Sequence, residues 1–168
     1  MKTLTLLRHA KSSWKDPSLI DHDRPLNRRG KRDLAVMGER LKQAGVRPSL
    51  ILSSTAVRAW KTAKGIAKEI AYPPEFMERE QLLYHAGVNR ILDVLAQQDD
   101  AFNSILVVGH NPGLTDFANY LVPDITHNIP TCGFVSVTID SEDWNLKGEK
   151  KIELVVYDYP KKHHQASG

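Results

Sequence analysis

The sequence has little of what would tie a chain to an oxidising compartment or a membrane. It contains a single cysteine, Cys132, among 168 residues, which excludes an internal disulfide bond and fits a reducing compartment. No run of 18 apolar residues is present, and the apolar start at residues 3–7 is too short for a signal peptide. We therefore expect a cytoplasmic protein without a membrane partner.

The chain also lacks a strong excess of charge of either sign. Its 23 Lys and Arg against 20 Asp and Glu give a net charge of +3, which is too weak to indicate a nucleic-acid partner. A chain of this length buries roughly 70% of its unfolded surface as one domain. We predict a single domain over residues 1–160 and a flexible basic tail over residues 161–168.

What the sequence does contain is an alternation of strand-like and helix-like segments. Apolar runs at residues 3–7, 50–52 and 105–108 are each followed further along by apolar residues at helical spacing. The runs at residues 134–139 and 152–157 are joined by a short polar segment, which is typical of a hairpin. The pattern predicts an α/β fold whose mostly parallel sheet is covered on both faces and contains one antiparallel strand.

Basic side chains follow three of the predicted strands at the point where each strand ends. Arg8 and His9 come directly after the first strand, and His110 follows a later one. Arg58 lies in the first turn of the helix after another strand. Because ligands of open α/β sheets bind outside the carboxyl ends of strands, we expect these side chains to share one pocket. Four basic groups predict an anionic ligand.

Two arginines combined with two histidines indicate phosphoryl transfer. An imidazole is nucleophilic when neutral, and guanidinium groups nearby lower its pKa, so His9 is expected to attack phosphorus and form a phosphohistidine. Arg8 and Arg58 would bind phosphate oxygens through bonds worth about 1.5–3 kcal/mol each. His110, if protonated, would donate to a further oxygen. We expect no metal site, because no group of Asp, Glu and His has recognised ligand spacing.

Four ordered motifs resemble the histidine phosphatase superfamily, the clan of phosphoglycerate mutase and acid phosphatase. They are Leu7-Arg8-His9-Ala10, Asp23-Arg24-Pro25-Leu26-Asn27-x-x-Gly30, Ser53-Ser54-Thr55-x-x-Arg58-Ala59 and Val108-Gly109-His110-Asn111-Pro112-Gly113. The short chain and its Arg-His-Ala form are similar to the SixA-type branch of phosphohistidine phosphatases.

The resemblance implies a three-layer α/β/α sandwich like that of phosphoglycerate mutase, and chemistry that uses neither a metal nor an organic cofactor. It also implies that His9 is the phosphorylated nucleophile. Arg8, Arg58 and His110 would hold the phosphate.

The chain departs from the superfamily where many members carry a glutamate as general acid. Tyr84 occupies that place, and Glu80, a candidate acid, lies several residues earlier. Expelling an alcohol without an acid creates an alkoxide, whereas a phosphohistidine releases imidazole, a difference of about nine pKa units. The sequence therefore favours phosphohistidine on a protein as the substrate.

Two further loop residues and two alternative functions stay open. Arg24 borders the phosphate or ties down the long loop through Asp21 or Asp23, and Ser54 is a candidate helix N-cap. One alternative function is a phosphomonoesterase acting on a small phosphate ester, with Glu80 as acid. The other is a phosphate-binding module without turnover. The partner is accordingly a phosphorylated protein or a small phosphorylated molecule.

Overall fold

The computed structural model describes residues 1–163, in which strands alternate with helices. The strands are β1 (Lys2–Arg8), β2 (Leu50–Ser53), β3 (Glu78–Arg79), β4 (Ser104–Gly109), β5 (Phe134–Ile139) and β6 (Ile152–Asp158). The α-helices are α1 (Arg28–Gln43), α2 (Val57–Glu69), α3 (Val88–Ala96) and α4 (Gly113–Leu121). Short 3₁₀ turns occur at Asp21–Asp23, Pro74–Phe76 and Gln81–Leu83. The predicted flexible tail extends beyond the described residues from position 164 onward.

The six strands described form one sheet in the order β3-β2-β4-β1-β5-β6. β1 pairs in parallel with β4, and β2 pairs in parallel with both β3 and β4. β5 is antiparallel to both of its neighbours, β1 and β6. Within residues 1–163, β5 is therefore the one strand that runs against the rest. This arrangement confirms the mostly parallel sheet with one antiparallel strand.

The register of the central strands brings the predicted site residues to one edge of the sheet. Arg8 at the end of β1 lies opposite Gly109 at the end of β4, so the next residue of each strand, His9 or His110, emerges at the same level. Ser53 at the end of β2 lies opposite Val108. Parallel pairing thus sets three strand ends side by side, as the sequence pattern predicted.

Two hydrophobic layers separate the sheet from its helices. One cluster packs α3 and α4 against the sheet face that carries Leu4 and Leu6 of β1. The other packs α1 and α2 against the opposite face, where Leu7 points. This alternation along β1 follows from the period of two of a strand buried on both faces. The result is the predicted α/β/α sandwich.

Helix boundaries follow local signals in the sequence. The side chain of Asn27 accepts a hydrogen bond from the Gly30 amide at 2.8 Å and begins α1. Gly45 follows the helix with φ of +76°, the left-handed conformation that favours glycine after a helix. Within residues 1–163, none of the helices has the length and apolar character needed to cross a membrane.

Two glycines permit close backbone approaches that anchor the loops around the strand ends. A Cβ at Gly30 would overlap the carbonyl oxygen of Lys11, two residues after His9. A Cβ at Gly113 would overlap the carbonyl oxygen of Ala86. Because backbone atoms cannot yield as a flexible side chain does, both positions require glycine. The loop after β1 and the segment before α3 are thereby fixed against helices α1 and α4.

Candidate active site

The structure brings the four predicted basic residues together at the ends of β1 and β4 and the start of α2. The ring centroids of His9 and His110 are 5.2 Å apart. Both rings are nearly buried, with exposed fractions of 7% for His9 and 5% for His110, and Arg58 is 3% exposed. The charge of Arg58 acts on both rings, and the charge of Arg8 acts on that of His9. These contacts define one basic pocket.

A hydrogen bond fixes the proton on His9. Its Nδ1 lies 2.8 Å from the carbonyl oxygen of Ala10, and a carbonyl only accepts, so Nδ1 carries the hydrogen. The amide of Ala10 is held in turn by the hydroxyl of Thr62 at 2.9 Å, and that hydroxyl donates to the carbonyl of Arg58. The lone pair of His9 is therefore on Nε2.

The electrostatic surroundings keep His9 neutral. Burial lowers its pKa to about 4, and the charges of Arg58, Arg8 and Arg24 act in the same direction, against the hydrogen bond to Ala10. From the sequence alone, the guanidinium groups were the expected cause of this shift. In the structure, burial is the larger cause: a buried imidazolium loses its hydration, and this lowers the pKa of His9 more than repulsion by the arginine charges does.

His110 is oriented by a serine that the sequence analysis interpreted differently. Nε2 of His110 lies 2.7 Å from the hydroxyl of Ser54. That hydroxyl also accepts from the amide of Ala56 at 3.2 Å, and its own hydrogen is available to Nε2. Ala56, not Ser54, is the N-cap residue of α2. When Ser54 donates to Nε2, the hydrogen of His110 is on Nδ1.

The charge state of His110 differs from the sequence-based expectation. Burial lowers its pKa to about 3, with further contributions from His9, Arg58 and His85 that outweigh the opposing charge of Asp21. The ring is neutral at physiological pH in this structure. His110 can donate through the Nδ1 hydrogen without the protonation that the sequence analysis required.

Both arginines are held by their terminal nitrogens. Nη1 of Arg8 donates to the carbonyl of Ile129 at 2.9 Å. Nη1 of Arg58 donates to the carbonyl of Asp21 at 2.7 Å, and its Nη2 donates to the carboxylate of Asp21 at 2.9 Å. These contacts leave the Nε hydrogen of each arginine for another acceptor.

Three buried polar atoms in the described part of the chain lack a hydrogen-bond partner: Nε of Arg8, Nε of Arg58 and Nδ1 of His110. All three belong to the basic pocket. An unpaired buried donor costs about 1–3 kcal/mol, so such groups are kept where a function needs them. In the tautomer with the His110 hydrogen on Nδ1, all three are N–H donors, and beside the free nitrogen of His9 they form a cradle suited to a tetrahedral oxyanion.

Asp21 is the residue whose importance the sequence analysis missed. Its carboxylate accepts from Arg58, from Nε of Arg24 at 3.2 Å and from the Tyr84 hydroxyl at 2.6 Å. Burial works to raise its pKa, but the hydrogen bonds from Tyr84 and Arg58 outweigh it and hold the pKa far below its usual range. The available signal was an aspartate three residues before Arg24, which alone does not indicate its partners.

Arg24 has the contacts of a loop tie. It is buried, donates to the Ser12 hydroxyl at 2.7 Å, and pairs with Asp21 at 3.1 Å. Its guanidinium stacks 3.5 Å from the ring centroid of Trp14, which is 76% exposed. The charge of Arg24 nonetheless contributes to the lowered pKa of His9. Direct binding of phosphate by Arg24 stays a prediction.

Glu80, the acid candidate of the sequence, and Tyr84, which stands in the place of the family's glutamate, lie in different surroundings. The carboxylate of Glu80 accepts from the Leu82 amide at 3.0 Å and caps the short 3₁₀ turn that follows it. Tyr84 lies at the site, with its ring centroid 5.5 Å from that of His110 and 4.0 Å from that of His85. Within residues 1–163, no group of three His, Cys, Asp or Glu residues is placed to hold a metal ion.

Comparison with known proteins agrees with this geometry. Residues 4–81 match the model of the histidine phosphatase superfamily (branch 1). An uncharacterized chloroplastic protein of Arabidopsis thaliana is 32% identical over 153 residues, which are 85% of this chain and 69% of the relative. Together with the fold, these matches show that the chain belongs to the histidine phosphatase superfamily.

Solved structures are similar over nearly the whole chain. A protein of Agrobacterium tumefaciens assigned as the phosphohistidine phosphatase SixA is 25% identical, with a TM-score of 0.80, covering 95% of this chain and 98% of that one. A mycobacterial glucosyl-3-phosphoglycerate phosphatase, at 14% identity and a TM-score of 0.68, covers 95% of this chain and 100% of that one. The second likeness shows the shared fold alone.

Proposed function

We propose that this protein is a phosphatase that works through a covalent phosphohistidine on His9 and hydrolyses phosphohistidine on a protein. The observation that carries the proposal is the set of unpaired buried donors on Arg8, Arg58 and His110 beside the free Nε2 of a neutral His9. A phosphoryl group offers three oxygens for three donors and an electrophilic phosphorus for the nitrogen.

In the first step, Nε2 of His9 attacks phosphorus and the bond to the leaving group breaks. Nδ1 keeps its hydrogen bond to the Ala10 carbonyl, which stabilises the positive charge that develops on the ring. Arg8, Arg58 and His110 donate to the phosphoryl oxygens throughout. In the second step water attacks phosphorus, and the electron pair of the P–N bond returns to Nε2.

Three features support a protein-bound phosphohistidine as the substrate. The residues around the pocket include exposed side chains such as Trp14 and His85, so the site is accessible to a histidine on a protein surface. The fold is similar over nearly its whole length to the Agrobacterium protein assigned as SixA. Transfer from a substrate histidine to His9 also exchanges one imidazole for another, so it needs little acid assistance.

A small phosphate ester is the second candidate substrate. The fold does not exclude it, since glucosyl-3-phosphoglycerate phosphatase has the same fold and its named substrate is an ester. The requirement that separates the two is an acid for the leaving oxygen. Glu80, whose carboxylate caps a turn, is not well placed to supply that acid.

We also propose a cytoplasmic location. Cys132 is buried, and the sequence contains no second cysteine with which it could form a disulfide bond, which supports a reducing compartment.

The test compares initial rates on a carrier protein phosphorylated on histidine with rates on a panel of sugar phosphates, phosphoglycerates and nucleoside monophosphates. We expect kcat/KM for the phosphorylated protein to exceed that for every ester. A His9→Gln variant should be inactive on all of them, while His127→Asn, which changes an exposed histidine elsewhere, should match the parent protein. A clear preference for one of the esters would contradict the proposed substrate.

A further inference from the structure

We propose that His85 is the general acid and base of this site, with Asp21 as the residue that positions it. This inference rests on the proposed phosphatase function and supplies the proton donor that the chain otherwise lacks. Glu80 and His85 lie on the same short segment before α3, but of the two only His85 contacts the groups of the pocket.

His85 stands at the mouth of the pocket. Its ring centroid is 5.8 Å from that of His110, which in turn is 5.2 Å from that of His9. The side chain is 61% exposed, so a leaving group and water both have access to it. It also borders a cleft of about 130 Å³ that extends to Asn111 and Asp116. An imidazole in this position reaches a leaving group while His110 holds the phosphoryl oxygens.

The backbone holds His85 in a conformation that its side chain disfavours. Its φ is +55°, in the left-handed region, where a residue other than glycine is uncommon. The next residue, Ala86, is fixed by the close approach of Gly113 from α4. Strain of about 1–3 kcal/mol at one residue persists when the surrounding structure enforces it, and such residues concentrate at active sites.

Two neighbours hold the ring of His85 in place. Nε2 of His85 lies 3.5 Å from the Asp21 carboxylate, which stabilises the ring when it is protonated. The Tyr84 ring lies 4.0 Å from that of His85 between centroids, tilted by 35°, and its hydroxyl donates to the same carboxylate. Asp21 thus engages one nitrogen of His85, which leaves Nδ1 for proton transfer.

The proton balance of both steps can be written with these groups. As Nε2 of His9 forms its bond to phosphorus, the bond to the leaving atom breaks, and that atom takes its electron pair and a proton from protonated His85. The leaving group departs as a neutral alcohol or imidazole. Neutral His85 then accepts a proton from the attacking water, the new P–O bond forms, and the P–N electron pair returns to His9. His85 ends protonated, ready for the next turnover.

The experiment uses two esters that differ in their need for an acid. Phenyl phosphate must expel a basic oxyanion, whereas p-nitrophenyl phosphate releases a stable one. The variant is His85→Asn, because asparagine tolerates a positive φ and carries no group that titrates near neutrality. We expect kcat/KM for phenyl phosphate to fall by about 10²-fold or more, the range of general acid catalysis, and p-nitrophenyl phosphate to change less than about threefold.

A second variant adds a chemical rescue. His85→Gly removes the ring and relieves the backbone strain, and the exposed position lets imidazole from solution take its place. Added imidazole should restore turnover of phenyl phosphate by the glycine variant and leave the parent protein unaffected. The His127→Asn variant serves as the control for loss of an exposed histidine.

The outcomes separate this inference from the proposed function. If the parent protein forms no phosphoenzyme with either ester or with phosphoramidate, both are wrong. If the parent protein turns over but His85→Asn loses the same factor on both esters, or neither, His85 is not the acid. Failure of imidazole to rescue the glycine variant would contradict the inference in the same way. This result does not depend on whether His85→Asn folds, which circular dichroism reports.

Discussion

The buried floor of the active site and its exposed rim are built by different kinds of contact. By floor we mean the four groups at the strand ends, Arg8, His9, Arg58 and His110. By rim we mean the loop side chains around them, Trp14, Asp21, Arg24, Tyr84 and His85. Floor residues are held largely by backbone carbonyls, whereas rim residues are held by one another's side chains.

This difference indicates how each region tolerates change. Backbone carbonyls move little with substitution, so the floor keeps its geometry and its chemistry depends on the identity of each side chain. In the rim, Asp21 accepts from three other side chains, so removing one contact leaves the others to hold it. We therefore expect large, residue-specific losses in the floor and smaller, shared ones in the rim.

The largest effect should come from removing the nucleophile. His9→Gln keeps a hydrogen-bonding side chain but has no nitrogen able to attack phosphorus, and we expect kcat to fall by at least about 10⁴-fold, as for other covalent nucleophiles. Steady-state rates on phosphoramidate measure the loss, with His127→Asn as the matched control. Residual turnover within tenfold of the parent rate would mean that another group attacks phosphorus.

Arg58→Lys should cost about 10²–10³-fold in kcat/KM. A lysine keeps the positive charge, but its ammonium cannot donate to the phosphate while also engaging the carbonyl and carboxylate of Asp21. Inhibition by vanadate should weaken in parallel, because it mimics the transferring group. Full activity in this variant would show that a positive charge alone suffices for phosphate binding and that the Nε hydrogen of Arg58 does not donate to the phosphate.

Ser54→Ala should lower kcat/KM by about tenfold, the value of one lost hydrogen bond that sets a tautomer. Without the hydroxyl, His110 is free to place its hydrogen on Nε2 and lose its donor toward the pocket. Nitrogen NMR of labelled histidine reports the tautomer directly, and Ser54→Thr should preserve it. An unchanged tautomer in Ser54→Ala would remove the role assigned to this serine.

Tyr84→Phe should have a smaller effect, about fivefold in kcat/KM, because Asp21 keeps its bonds to Arg58 and Arg24. The aromatic ring beside His85 is retained in phenylalanine. A loss as large as that of Arg58→Lys would mean that the rim is as residue-specific as the floor, and the contrast between the two regions would fail.

The smallest expected effect near neutral pH is on the pH dependence of the free energy of unfolding. His9 and His110 have pKa values lowered to about 4 and about 3, below the ordinary value of 6.5 for an unfolded histidine. The unfolded chain therefore binds protons that the native chain does not as pH falls below 6.5, and stability declines through about pH 4. Each ring contributes a slope of about 1.4 kcal/mol per pH unit in that window.

Urea denaturation of the parent protein and His9→Gln at several pH values measures this slope. The variant should lose stability less steeply between pH 6.5 and 4, while above pH 6.5 the term contributed by His9 is constant. Equal slopes in the two proteins would show that His9 titrates normally in the native state.

The floor was accessible to sequence reasoning because it depends on local patterns and one topological rule. An apolar run followed by Arg8 and His9, or by His110, specifies a strand end, and parallel pairing brings strand ends together. The helix spacing after β2 likewise set Arg58 in a first turn. The alternation of segments predicted the sheet and its antiparallel strand for the same reason.

The pairing of Arg24 with Asp21 was one of the alternatives that the sequence offered. The other contacts of the rim, and the contact of Ser54 with the floor, were not accessible because they join residues distant in sequence with no periodic signal. Asp21 meets Tyr84 across 63 positions, and Ser54 meets His110 across 56. A serine before a helix is typical of a cap, and only the position of the imidazole on a neighbouring strand gave Ser54 another role. The tautomer of His110 depends on the same tertiary contact, whereas that of His9 depends on the carbonyl of the next residue.

The most direct test of the central claim is to identify the atom that carries phosphate during turnover. Protein quenched while hydrolysing radiolabelled phosphoramidate should contain an acid-labile label that mass spectrometry assigns to His9 and phosphorus NMR assigns to Nε2. Label on His110, or a protein that turns over without ever carrying label, would contradict the account.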